Sequence, residues 1–168
     1  MTAPRYRRVY DWFTARPRAL AALRLADRLT TALVYAAYGL LLAALAYQAP
    51  VYGVGPLLRA VLIPAAVILL GTLLRSALDR PRPAAVHGIP PLLHKEKLGE
   101  SFPSRHVLSS AVITAAFFNS LPLAGTALLL VTACIMVIRV LGGVHFVKDV
   151  AAGAAFGLVL GEVLYGLF

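Results

Sequence analysis

A chain of 168 residues with 60% hydrophobic and only 14% charged residues cannot cover its apolar surface with polar groups. That excludes an ordinary water-soluble domain and makes lipid the expected solvent. The formal net charge of +9 does not indicate nucleic acid, because the basic residues sit at the ends of apolar runs and form no stripe with interleaved aromatics. Cys134 is the one cysteine, so an internal disulfide is impossible.

From the N-terminus, Arg5 to Arg28 reads as one or two interfacial helices broken at Pro17. Tyr6, Val9, Trp12 and Phe13 would enter the head-group boundary while Arg7, Arg8, Arg16 and Arg18 stay in water; the structural alternative is a disordered basic tail. Charges at Arg16, Arg18, Arg24 and Asp27 interrupt this stretch, so no cleavable signal peptide is expected. Apolar runs follow at Leu29–Ala49, Val54–Leu74, Pro103–Ser120, Leu121–Ile138 and Val150–Phe168. A spanning helix needs roughly 20 apolar residues, so the shorter third and fourth runs are expected to borrow flanking residues. Asn119-Ser120-Leu121-Pro122 predicts a tight turn between them, and Pro81 to Phe102 predicts a long polar loop. The expectation is one all-α domain over residues 1–168: a membrane-embedded bundle of about five spans, with 1–28 a basic interfacial segment carrying an amphipathic helix and 29–168 the transmembrane core.

Alternation of the spans brings three polar clusters to one membrane face. The first runs from Arg75 to Pro83; on a helix Arg75, Asp79 and Arg82 would share a face, and guanidinium forks match phosphate oxygens. Alone, it would read as a juxtamembrane positive patch. The second is Pro103-Ser104-Arg105-His106 at the start of an apolar run, where helix N–H groups and the Ser104 hydroxyl would cradle an anion beside His106. The third runs from Arg139 to Asp149, with the Gly142-Gly143 pair as a turn. His145 and Asp149 stand four apart, so on a helix the carboxylate would fix the imidazole tautomer and free the other nitrogen to attack. A helix cap is the structural alternative for that pair.

Arg75-x6-Arg82-Pro83, Pro103-Ser104-x-His106 and Arg139-x5-His145-x3-Asp149 together closely resemble the signature of the type 2 phosphatidic acid phosphatase superfamily. That superfamily includes membrane lipid phosphatases, acid phosphatases and vanadium haloperoxidases. The resemblance spans Arg75 to Asp149 and implies a lipid phosphatase working through a phosphohistidine. It makes His145 the nucleophile, Asp149 its orienting partner and His106 the general acid. Arg75, Arg82, Ser104 and Arg139 would hold the phosphate oxygens, with Arg105 an added cation. Phosphoryl transfer is largely positioning and charge stabilisation, so neither a metal nor a cofactor is expected. The expected partners are a lipid phosphate or pyrophosphate and the bilayer, with no nucleic acid.

The chain departs from the family pattern at Arg75, in place of the usual lysine, at Arg105, in place of glycine, and at Ile138, in place of a serine. Arg105 gives polyprenyl pyrophosphate a narrow preference over phosphatidylglycerophosphate and phosphatidic acid. The excess of lysine and arginine, with Lys95 and Lys97 in the count, points the site to the cytoplasmic side of a cell membrane; the alternative is an outward-facing site, with the motif-bearing loops and an interfacial N-terminal helix misleading the count. Arg59 and Glu162 are expected to snorkel at the opposite face, and His87 and His94 to be solvated loop residues. The competing readings are a lipid phosphotransferase on the same fold and a non-catalytic membrane interaction protein.

Overall fold

The computed structural model describes residues 2–93 and 98–168, and these contain helices and no strand. The helices are α1 (Ala3–Thr14), α2 (Pro17–Tyr52), α3 (Gly55–Leu78), α4 (Pro83–His87), α5 (Arg105–Ser120), α6 (Pro122–Leu141), α7 (Val147–Ala155) and α8 (Gly161–Leu167). A π-helical stretch, Phe156–Leu160, joins α7 and α8 into one rod. Among the described residues, four helical stretches are long and apolar enough to cross a membrane: Pro17–Tyr52, Gly55–His87, Pro122–Leu141 and Val147–Leu167. Large aliphatic side chains point outward from them, among them Leu40, Leu62, Leu69 and Leu130. In water such a surface would drive aggregation; in lipid it is the matching face.

The third apolar run forms α5, the shortest of the long helices at 16 residues, and it is the centre of the bundle. Every residue from Val107 to Phe117 is buried. Its apolar side chains join Val34 and Leu41 of α2, Leu128 and Ile135 of α6 and Val150 of α7 in one core cluster. On the α6 side it also carries hydroxyls: Ser110 Oγ lies 2.6 Å and Thr114 Oγ1 3.2 Å from Thr132 Oγ1. Such pairs satisfy polar groups inside an apolar interior and fix the rotation of one helix on the next. The turn at Leu121 joins α5 to α6 as expected.

Glycines bring the last rod close to α5. Gly153, Gly157 and Gly161 recur every four residues and face it. A Cβ would lie 2.7 Å from Ser104 O at Gly153, 2.6 Å from Leu108 O at Gly157 and 2.8 Å from Ala115 Cβ at Gly161. Without a driving force from water, close backbone approach of this kind is what holds helices together in lipid.

At the N-terminus the break at Pro17 is present, but Pro17 opens a 36-residue helix that runs through residue 28 into the first span. Tyr6 does not present its ring to lipid: it is fully buried against the bundle. Tyr10, Phe13 and Leu20 likewise pack on a second cluster made by Leu23, Leu92, Leu93, Ile138 and Val144. At the far end Glu162 accepts a hydrogen bond from Asn119 Nδ2 at 3.2 Å.

Candidate active site

The end of the bundle next to α1 gathers the three polar clusters. Arg75 sits in the last turn of α3, buried, with Nη1 3.4 Å from Pro103 O and Nε 3.5 Å from Glu100 Oε2. The helix stops at Leu78, and Asp79 takes a left-handed conformation at φ 33°. Arg82 therefore does not share a helical face with Arg75. Pro81 and Pro83 disfavour the α conformation in the residues before them, so the chain leaves the helix and Arg82 becomes the N-cap of α4.

Arg82 is tightly held. Its Nε donates to Gly99 O at 3.0 Å, Nη1 to Val144 O at 2.7 Å and Nη2 to Glu100 O at 3.3 Å. Three of the five guanidinium donors are thus spent on backbone carbonyls of two separate loops. Arg82 ties the segment before Pro103 to the residue before His145, a scaffold role the sequence did not suggest.

Pro103 lies outside α5, and Ser104 is its N-cap. The Ser104 backbone N–H donates to Asp149 O at 2.9 Å, which docks the start of α5 on the start of α7. The Ser104 hydroxyl is buried without a hydrogen-bond partner. A buried hydroxyl left open is the kind of group an anion can occupy. Arg105 is exposed and His106 half-buried on the first turn of α5. Both line a cavity of about 270 Å³ between α2, α3 and α5, with Tyr35, Ile68, Thr72 and Ser109.

His145 and Asp149 do meet, though not along one helix. His145 precedes α7, whose N-cap is Phe146, and Asp149 stands in the first turn. Asp149 Oδ2 accepts hydrogen bonds from the Phe146 N–H at 2.9 Å and from Ser101 Oγ at 2.5 Å. His145 Nδ1 lies 3.8 Å from the same oxygen, an electrostatic contact too long for a hydrogen bond. Burial pushes the His145 pKa down to about 4; the Arg82 and Arg75 charges act in the same direction, and Asp149 opposes them. The imidazole is therefore neutral at physiological pH, the state a nitrogen nucleophile needs.

Arg139 closes the site from the last turn of α6, and Nη2 lies 3.1 Å from Asp27 Oδ1 of α2. Arg139 Nε and Asp27 Oδ1 are both buried with no hydrogen-bond partner among the described residues, so the contact stands as an ion pair.

The sequence model of the PAP2 superfamily matches residues 56–168. The chain belongs to the PAP2 superfamily. Its fold is similar to two solved structures. One is a transmembrane PAP2 type phosphatidylglycerolphosphate phosphatase from Bacillus subtilis: TM-score 0.69, 24% identity, 90% of this chain and 77% of that one covered. The other is LpxE from Aquifex aeolicus, with TM-score 0.63 and 24% identity over 88% of this chain and 94% of that one. No curated protein matches the chain. With four apolar spans among the described residues, this PAP2 protein is an integral membrane protein.

Sequence reasoning missed Asp27, Glu100 and Ser101. They touch Arg139, Arg75 and Asp149 respectively, yet all lie outside the three motifs. No spacing rule ties them to their partners. Of the other residues singled out from sequence, His87 belongs to α4, with its ring 5.8 Å from that of Phe146. His94, Lys95 and Lys97 lie outside the described residues.

Proposed function

We propose that this protein hydrolyses a lipid phosphate or pyrophosphate through a phosphohistidine on His145. The observation that carries the reading is a buried imidazole 3.8 Å from the Asp149 carboxylate and beside the Arg82 and Arg75 guanidiniums at one end of the bundle. In this reading His145 Nε2 attacks phosphorus while Nδ1 faces the Asp149 carboxylate. Ser101 and the Phe146 N–H hold that carboxylate in place. His106 protonates the leaving oxygen and then activates the water that cleaves the phosphohistidine. Arg75, Arg105, Arg139 and the open Ser104 hydroxyl take the phosphate oxygens, and Arg82 supplies charge while tying the loops together. Guanidinium groups balance the phosphoryl charge here, so the proposed reaction is metal-independent.

The lipid class follows from the cavity beside His106. It opens between spanning helices, so a head group can enter while its chain stays in the bilayer. Arg105 is exposed on this cavity and adds one cation beyond those on the first phosphate, which suits a pyrophosphate. Polyprenyl pyrophosphate therefore ranks ahead of phosphatidylglycerophosphate and phosphatidic acid. The similar Bacillus subtilis structure, a phosphatidylglycerolphosphate phosphatase, keeps the glycerolipid in the test. The proposed setting is the plasma membrane, with the site facing the cytoplasm.

The test is phosphate release by detergent-purified protein from farnesyl pyrophosphate, phosphatidylglycerophosphate and phosphatidic acid, with and without EDTA. Release is expected from at least one, unchanged by EDTA and abolished in His145→Ala. Asp149→Asn should be slower by ~10²–10⁴-fold, by the logic of losing the acid that orients a catalytic histidine. Full activity of His145→Ala would remove the phosphohistidine, and a phosphorylated acceptor in place of free phosphate would make the enzyme a phosphotransferase.

A further inference from the structure

The superfamily match begins at residue 56, so α1 and α2 lie outside it. Both nevertheless reach the residues that carry the proposed chemistry. Asp27 of α2 is the carboxylate partner of Arg139, at 3.1 Å, and both side chains are largely buried. Arg24 Nε, one turn earlier, donates to Leu92 O at 3.0 Å, and the Leu92 N–H donates in turn to Gly142 O at 2.9 Å. Tyr6 of α1 reaches the next residue. Gly143 has φ +71°, and any side chain there would overlap the Tyr6 phenol. The ring thus fills the space that the glycine leaves open, two residues before His145. Its hydroxyl donates to Pro90 O at 3.1 Å, and its ring lies 6.2 Å from that of His87, which meets Phe146 edge-on.

We propose that the N-terminal helices position the phosphoryl site: Asp27 sets the Arg139 guanidinium, and Tyr6 braces the glycine turn that presents His145. The proposal rests on the reading of Arg139 as a phosphate ligand and His145 as the nucleophile. A buried arginine without its counter-charge is an uncompensated charge with no partner to fix its direction. Transfer through a nitrogen nucleophile tolerates misplacement of only a fraction of an ångström. Asp27 answers the first problem and Tyr6 the second. Neither touches the reacting atoms, so both are positioning residues.

Four proteins test the first part in detergent: wild type, Asp27→Asn, Arg139→Ala and the double variant. Each is measured for kcat, KM, thermal midpoint and inhibition by orthovanadate, a mimic of phosphorus in transfer. Asp27→Asn keeps the shape and removes the charge. It is expected to weaken orthovanadate inhibition and lower kcat/KM, each by about tenfold, and to cost nothing further on top of Arg139→Ala. For the second part, Tyr6→Phe should keep kcat and Tyr6→Ala should lower it with KM unchanged. Wild-type inhibition in Asp27→Asn, or a loss that adds fully to that of Arg139→Ala, overturns the role of Asp27. Equal rates in both Tyr6 variants overturn that of Tyr6. If Arg139→Ala itself turns over at the wild-type rate, the phosphate-ligand reading falls, which is distinct from an impaired Arg139→Ala beside an unimpaired Asp27→Asn.

Discussion

At the scale of single residues, burial decides the state of His145. Its pKa in the folded protein is about 4, against 6.5 for an ordinary histidine. As pH falls below 6.5 the unfolded chain takes up a proton that the folded imidazole refuses until about 4. The unfolded state then binds more protons, so stability is full above 6.5 and is lost as pH drops through that window. His145→Ala removes this contribution, and its thermal midpoint is expected to fall less steeply between pH 6.5 and 4 than that of the wild type. Identical slopes would mean that His145 is not held neutral. The motif residues themselves were legible because chemistry restricts their types and spacing. Ser101 was not: it meets Asp149 across 48 positions of chain, a contact made by folding alone.

Between helices, the recurrence of Gly153, Gly157 and Gly161 sets how close the last rod comes to α5. A Cβ at Gly157 would meet Ala111 Cβ at 2.5 Å and the backbone atoms Leu108 O at 2.6 Å and Val112 N at 2.9 Å, none of which can swing aside. Gly157→Val should therefore destabilise by about 1–3 kcal/mol, the usual range for overpacking, seen as a lower thermal midpoint and a poorer monodisperse yield. Gly39→Ala is the control: nothing lies within 4 Å of that position, so no loss is expected. The same packing docks Ser104 on Asp149, which links a helix-scale contact to the geometry of the site. A four-residue glycine period can be read from sequence, but the helix it faces cannot. The end of α3 shows the converse: a spacing argument placed Arg75, Asp79 and Arg82 on one face, and two prolines overrode it.

For the whole molecule, alternation of the spans puts α1, α4, the start of α5, the end of α6 and the start of α7 at one end. The tight turn at Leu121 marks the other. If the site faces the cytoplasm, a cysteine placed by Arg80→Cys in a Cys134→Ser background should react with a membrane-impermeant maleimide in inverted vesicles and not in intact cells. Leu121→Cys should show the opposite pattern. Labelling of Arg80→Cys from outside intact cells would put the site on the outer face and set the charge bias aside.

Composition alone determined the solvent, since a chain this apolar has too few polar groups to cover itself in water. The length of apolar runs and turn chemistry determined the spans and the α5–α6 hairpin, because those depend on neighbours along the chain. Motif spacing pointed to the family and supplied the candidate residues of the site. Only the tertiary structure decided that the N-terminal segment folds back onto the site, that Arg82 is bound by carbonyls of two loops and that Asp27 faces Arg139. Those are contacts between distant segments, and they depend on how close the helices pack, which no local pattern encodes.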